Sequence, residues 1–352
     1  MKTVSVIGIV GIPACYGGFE TLVENLTLFS SGSFNYEVFC SSMTYGTKVK
    51  THNNAKLIYM PIKANGVKSI FFDILSLIYC LKRKPEVTLI LGVSGCIFLP
   101  IYKALSTSKI ITNIDGLEWK RNKWGKLTRK FLKLSESIAV KYSDTIITDN
   151  QAIADYVEQE YRKKSIVIAY GGDHVIPISP PVVYPQDYFF SLCRIEPENN
   201  VELILKAFSS TQNIKLKFIG NWDGSLYGKK LKDQYSKYKN IEILDPIYDI
   251  NILYELRKGC VGYIHGHSAG GTNPSLVEAM HFEKPIFAFD CSFNRYSTEN
   301  DAFYFLDFQD LISKLNNITS VSMENCSKSM KEIAMRRYKW DTITQMYEKL
   351  YL

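Results

Sequence analysis

The chain has 352 residues, long enough for two domains with a sizeable core each, and its 46% hydrophobic and 22% charged content excludes a disordered or fibrous protein. The formal charge of +7 is uneven: residues 1–170 hold 22 Lys and Arg against 13 Asp and Glu, and residues 171–352 hold 20 against 22, so the first half is expected to face something anionic. The eight cysteines (Cys15, Cys40, Cys80, Cys96, Cys193, Cys260, Cys291 and Cys326) lie far apart with no C-x-x-C pair, which argues against zinc and against a disulfide framework and leaves reduced thiols.

Residues 1–11 are too short and too lightly charged for a signal peptide and read as a first strand. Strands are predicted at 3–9, 36–40, 57–61, 87–91, 109–114, 145–148 and 165–169, with helical patterns at 19–29, 69–83, 123–142 and 150–160. This alternation predicts parallel sheets covered by helices. The most apolar stretch, 70–105, is broken by Lys82, Arg83, Lys84, Pro85 and Glu86, so no span offers the roughly 20 clean residues of a membrane helix. A cytoplasmic protein that is not integral to a membrane is expected.

Two segments of this half carry candidate chemistry. Just after the first strand, Gly17 and Gly18 would let a ligand approach the backbone closely, Tyr16 offers a stacking wall, and Glu20 either caps the next helix or holds a ligand hydroxyl, with capping favoured. The run from Asp115 to Arg121 ends a later strand; Asp115 is a candidate for base work or ligand positioning, beside Glu118, Trp119 and Arg121. Trp119 either stacks on a ring or closes the core. From there to residue 141, Lys120, Arg121, Lys123, Lys126, Arg129, Lys130, Lys133 and Lys141 stand against Glu136 alone, interleaved with Trp124, Leu127, Phe131, Leu132, Leu134 and Ile138. A basic amphipathic helix with aromatic flanks suits an anionic membrane surface, a reading favoured over a merely solvated face. Nucleic acid would need a recognised binding module, and none accompanies the charge.

Residues 171–185 contain Gly171, Gly172, Pro177, Pro180, Pro181 and Pro185 and read as the linker. The pattern then restarts: strands at 188–193, 216–220, 241–244, 261–265 and 285–289, helices at 201–210 and 226–238, with further helices between the later strands. The tail, 338–352, carries apolar residues at helical spacing and reads as a packed terminal helix. Two doubly wound lobes are the simplest architecture, with ligands at the carboxyl ends of the strands. The strand at 261–265 ends on His265 and feeds a loop containing His267, Gly270, Gly271 and Thr272. Asn273 is placed to cap a helix whose first residue is Pro274. A glycine-rich loop entering a helix start is an anion site, with backbone N–H groups expected to point outward and Thr272, Asn273 and Ser275 adding donors. Glu278, one turn in, suits a diol. The alternative is a tight strand-to-helix turn with no ligand.

Residues 265–280, HGHSAGGTNPSLVEAM, resemble the donor-binding segment of retaining GT-B glycosyltransferases of family four. GIPACYGGFETLVENL (11–26), NIDGLEWKRNKWG (113–125) and CRIEPENNVELIL (193–205) are similar to the subgroup with a rhamnosyltransferase-type N-terminal domain. The resemblance implies an α/β GT-B fold: two Rossmann-like doubly wound lobes facing a cleft, with the C-terminal helix packing back. Its divisions would be 1–172 for the acceptor and membrane-facing lobe, 186–337 for the nucleotide-sugar lobe, and 338–352 for the helix. This chain departs from the broader family in three places. Gly270 stands where the first of two Glu is usual, Asn199 stands in place of a phosphate-binding Lys, and Asp115 takes the place of a His.

The resemblance implies a hexosyltransferase moving a deoxyhexose, L-rhamnose from dTDP-rhamnose, to a polyprenyl-diphosphate-linked sugar in bacterial surface polysaccharide synthesis, on the inner face of the cell membrane. Arg194, Asn199, Gly17, Gly18, Gly270, Gly271, Thr272, Asn273, Ser275 and Glu278 would hold the donor, Arg194 at the diphosphate and Glu278 at the ribose. His265 and His267 would lie near the donor sugar. Asp115, His265 and Arg194 would be catalytic, and Tyr16, Glu20, Glu118, Trp119 and Arg121 would meet the acceptor. With no D-x-D triad or clustered His in the sequence, no metal or other cofactor is expected, and the positive charge at the leaving diphosphate would come from protein. The rivals are another nucleotide-hexose on the same fold, a sugar-nucleotide epimerase, and a non-catalytic binding subunit.

Overall fold

The structure, a computed structural model, describes residues 1–15, 17–114, 116–120 and 124–352. They form two compact units, Met1–Ala169 with Trp340–Leu352, and Tyr170–Lys339.

The first unit runs β1 (Lys2–Ile7), α1 (Gly18–Leu28), β2 (Phe34–Ser41), β3 (Thr51–His52), β4 (Ala55–Met60), α2 (Lys68–Arg83), β5 (Val87–Leu91), α3 (Leu99–Leu105), β6 (Lys109–Asn113), α4 (Lys126–Tyr142), β7 (Thr145–Thr148), α5 (Gln151–Tyr161) and β8 (Ile166–Val167). Its sheet has the order β3-β4-β2-β1-β5-β6-β7-β8, parallel except for the β3–β4 pair. The central strand explains the order. Val4, Val6 and Ile7 of β1 are fully buried, and β1 pairs with β2 on one side (Val4 opposite Tyr36) and β5 on the other (Val4 opposite Val87). The chain first winds outward to β4, then crosses back to β5 and winds the other way, which makes the β1/β5 boundary a topological switch point.

The second unit runs β9 (Phe189–Leu192), α6 (Val201–Ser209), β10 (Leu216–Ile219), α7 (Leu226–Tyr235), β11 (Ile241–Leu244), α8 (Ile250–Gly259), β12 (Gly262–His265), α9 (Pro274–Met280), β13 (Ile286–Phe289), α10 (Ser292–Ser297), β14 (Phe303–Phe305), α11 (Phe308–Asn317) and α12 (Ser320–Arg337). Its sheet is parallel throughout, in the order β11-β10-β9-β12-β13-β14. Here the winding reverses between β9 and β12. An aromatic core of Phe189, Phe208, Phe218, Trp222 and Phe287 fills the space between sheet and helices.

The final helix, α13 (Trp340–Tyr351), returns to the first unit and packs on α1. Tyr351 meets Phe34 and Tyr36 edge-on, with ring centroids 5.3 and 6.1 Å apart, and the Tyr347 hydroxyl accepts a 2.9 Å hydrogen bond from Asn113 Nδ2. The expected strands and helices are present; the short β3, α3 and β14 and the helices α10, α11 and α12 were not predicted. Among the described residues no helix is long and apolar enough to cross a membrane.

Candidate functional site

In the second unit the loops after β9 and β12 leave the sheet on either side of the switch point, where open parallel sheets hold ligands. Hydrogen bonds join them. Ser268 N–H donates to Glu198 O (3.0 Å), Asn200 Nδ2 to Gly266 O (2.8 Å), and the buried Asn199 Oδ1 lies 2.8 Å from His267 Nδ1. Asn199 Nδ2 donates to Arg194 O at 2.7 Å, which leaves Oδ1 as the acceptor and makes Nδ1 the protonated nitrogen of His267. Asn199 thus ties the Arg194 backbone to the histidine. The Arg194 side chain itself is exposed, with a loose contact to Glu196 at 3.8 Å.

His265, at the end of β12, is buried and stacked on Tyr263, and its Nε2 has no hydrogen-bond partner among the described residues. Burial, and secondarily the neighbouring His267, push its pKa well below the usual histidine range, so the ring is neutral at physiological pH. Gly270 has φ +122°, and a Cβ there would lie 3.1 Å from His267 Nε2, so both conformation and space call for glycine.

The helix start departs from the expectation of outward-pointing N–H groups. Asn273 caps α9 as predicted, and Pro274 opens it, but the first donors are all engaged. Ser275 N–H donates to Asn273 Oδ1 (3.0 Å), and the N–H groups of Leu276 and Val277 reach Asn273 O at 3.1 and 3.3 Å. The Ser275 hydroxyl is likewise occupied by Asn273 Oδ1 and by the Tyr263 hydroxyl. The amide donors of Ala269, Gly270 and Gly271 bond to no acceptor among the described residues, so the capacity for an anion lies in the loop rather than in the helix. Thr272 is buried beside them.

Glu278 is held from beneath. The buried Arg257, at the end of α8, donates from Nη2 to Glu278 Oε2 and lies over the Phe282 ring, while His174 Nε2 is 3.6 Å from Oε1. Burial lowers the His174 pKa, with Glu278 opposing the shift. The carboxylate is therefore fixed in place by two side chains distant in sequence.

In the first unit the loop after β1 is built around Glu20. Its carboxylate does not cap α1 as expected: it reaches back to accept the buried Val10 N–H at 2.8 Å, and burial raises its pKa. The α1 cap position is Gly17, with φ +118° and a Cβ site only 3.1 Å from Glu20 Oε2; Gly18 is the first helical residue. Across the switch point, Asp73 of α2 holds the loop after β5 through Ser94 Oγ (2.7 Å), and burial lifts its pKa to about 7. Further along, Glu118 accepts from Trp124 Nε1 at 2.9 Å, and Trp119 donates to the buried Glu136 at 3.0 Å with Lys133 over its ring. Trp119, Lys120, Arg129, Lys130, Lys133 and Tyr161 line a cavity of about 680 Å³ on α4. Tyr16, Asp115 and Arg121 lie outside the described residues.

The family described as glycosyl transferases group 1 matches residues 181–320, and a domain of unknown function, DUF1972, matches residues 1–173. Solved structures share the fold along the whole chain. The sucrose-phosphate synthase of Thermosynechococcus elongatus superposes with a TM-score of 0.82 at 11% identity, covering 100% of this chain and 98% of that one. Anabaena HepE, in complex with UDP and glucose, gives 0.76 at 14% identity, covering 99% of each. A glycosyltransferase from Rickettsia africae gives 0.75 at 14%, covering 99% and 97%. The fold is that of GT-B glycosyltransferases, and residues 181–320 carry the match to glycosyl transferases group 1. No curated protein matches this chain.

The structure brings Arg194, Asn199, His265, His267 and the 270–275 loop together around one switch point. Glu278 follows one turn into α9. Sequence reading missed Arg257 and His174, the partners of Glu278. A buried arginine one helix away carries no local signal; its only hint is an Arg at the end of a helix that precedes the strand.

Proposed function

We propose that this chain is a glycosyltransferase that moves a deoxyhexose, L-rhamnose from dTDP-rhamnose, with retention, to a polyprenyl-diphosphate-linked sugar in surface polysaccharide synthesis at the inner face of an anionic membrane. The observation that carries the donor half is the loop 266–273. It offers three amide donors with no acceptor among the described residues, beside a glycine with φ +122°, between a neutral His265 and an ion-paired Glu278.

In this reading the Ala269–Gly271 amides and Arg194 stabilise charge as it develops on the leaving diphosphate. Glu278, aligned by Arg257, accepts from the ribose diol. His265 is a neutral hydrogen-bonding partner for a sugar hydroxyl, not a source of positive charge. Asn199 and Gly270 act together: one fixes His267 through Nδ1, and the other leaves room at Nε2. Gly17 and Gly18 join the donor set, and the first unit supplies the acceptor side through Glu118 and Trp119, with Tyr16, Asp115 and Arg121, while its basic α4 faces the anionic surface. The donor sugar and the lipid acceptor rest on the resemblance of residues 11–26 and 113–125 to the rhamnosyltransferase-type subgroup.

Incubation of the purified enzyme with a panel of nucleotide-sugars and lipid-linked saccharides, read by mass spectrometry of the lipid product, tests this. A deoxyhexose increment is expected with dTDP-rhamnose. Release of nucleotide only from a different hexose donor overturns the rhamnose assignment.

A further inference from the structure

Helices α2, α3 and α4 follow successive crossovers in the same direction and pack side by side on one face of the first sheet, α2 against α3 and α3 against α4. A helix in such a layer needs one apolar stripe for the core and ordinarily shows water a polar one. α2 has two apolar stripes. Phe72, Leu77 and Cys80 are fully buried, while Phe71, Leu75, Ile78 and Tyr79 on the opposite side are 61%, 38%, 37% and 39% exposed. On the neighbouring α3, Ile101 and Leu105 are 52% and 67% exposed.

The charges on this layer have one sign. The sole carboxylates of the three helices, Asp73 and Glu136, are 3% and 1% exposed. Every charge they show to solvent is Lys or Arg, with Lys68 and Lys82 at the two ends of the α2 stripe and Lys126 and Lys130 on α4. An apolar stripe rimmed by cations, without an exposed carboxylate, complements a surface that is oily inside and negative at its edge. A soluble partner presenting a mixed surface would leave those lysines uncompensated.

We propose that α2 and α3 form the bilayer-contacting face of the protein: Phe71, Leu75 and Ile78 enter the headgroup–acyl boundary of an anionic leaflet, and the flanking lysines meet lipid phosphates. This rests on the membrane placement in the proposed function, but it assigns the apolar contact to α2, where the sequence pattern pointed to α4. The cavity on α4, where Lys120, Arg129, Lys130 and Lys133 stand with Glu160, then lies on the same layer, at headgroup level.

The test uses the full chain with vesicles of phosphatidylglycerol and phosphatidylcholine, against phosphatidylcholine alone, in co-sedimentation. The parent is expected to bind the anionic vesicles. The triple variant Phe71→Ser/Leu75→Ser/Ile78→Ser, with an unchanged melting temperature, is expected to lose about tenfold or more in partitioning. A separate Phe71→Trp variant should show blue-shifted emission, and quenching by brominated lipid, when vesicles are added. If the triple variant binds like the parent while Lys126→Gln/Lys130→Gln does not, or Phe71→Trp emission stays put on bound protein, the α2 assignment is overturned and the membrane placement stands. If the parent binds neither vesicle, both fall.

Discussion

Replacing Arg257 by leucine isolates how Glu278 is held. The two side chains are 4% and 13% exposed, so the substitution leaves a largely buried carboxylate with His174, 3.6 Å away, as its remaining partner. Burial disfavours the charged form of His174, so it compensates poorly. Removing one member of a buried pair costs about 3–5 kcal/mol. Glu278 keeps some contact with solvent, which points to the lower end, about 3 kcal/mol. For a unit the size of Tyr170–Lys339 this corresponds to a fall in melting temperature of roughly 6–12 °C. The double variant Arg257→Leu/Glu278→Leu removes both charges and should regain most of that loss, because two apolar side chains replace the pair. Donor use should not recover with it: without the Glu278 carboxylate the KM for nucleotide-sugar is expected to rise by about tenfold or more. Differential scanning calorimetry and nucleoside diphosphate release at varied donor concentration separate the two effects. A parental melting temperature in Arg257→Leu, or a double variant no more stable than the single, would refute the account of the pair. Parental donor KM in the double variant would remove Glu278 from the donor site.

Gly270→Ala puts a methyl at φ +122° and 3.1 Å from His267 Nε2, so it should cost about 1–3 kcal/mol and depress donor turnover; parental values for both would show that the loop tolerates bulk and does not shape the site. Glu20→Ala strips the buried Val10 N–H of its acceptor and should cost about 1–3 kcal/mol by urea unfolding, whereas Glu20→Gln keeps an oxygen there and should regain most of it. Asp73 gives a pH dependence. Its folded pKa is about 7, against about 3.9 in an unfolded chain, so between these values the folded protein holds a proton that the unfolded chain has released. Its contribution to stability therefore falls as pH rises through that window, by up to about 1.4 kcal/mol per pH unit. Asp73→Asn should flatten the trend in urea midpoints between about pH 5 and about pH 7, and an unaltered slope would exclude Asp73 as its source.

What could be read in the sequence was local. Asn273 and Pro274 announce the start of α9 because a cap and a first-turn proline act within three residues of one another. The alternation of strand and helix gave two parallel sheets, since each period is written in consecutive residues. Gly270 and Asn199 stood out one by one, but only the fold shows them meeting at His267. Glu20 looked like a cap because it sits in the first turn, yet the Val10 N–H, released as β1 ends, competes for the carboxylate and wins. Arg257 and Glu278 come from different helices, and nothing in either neighbourhood marks the pair. The apolar character of α2 was legible, but residue periodicity could not say that one of its two apolar stripes stays partly exposed. β3 and β14 are too short to show a period at all.

The return of α13 to the first unit makes that unit discontinuous in the chain, whereas Tyr170–Lys339 is one uninterrupted segment. Synthesis runs from the N-terminus, and domains tend to fold as they emerge. The first unit nevertheless waits for pieces from Trp340–Leu352: Tyr347 to meet Asn113, Tyr351 to cover Phe34 and Tyr36, and the Leu352 carbonyl to receive Lys2 Nζ at 2.7 Å. Of the two units, the one whose strands are made earlier is thus completed later, and loss of α13 leaves β1 and β2 without their cover.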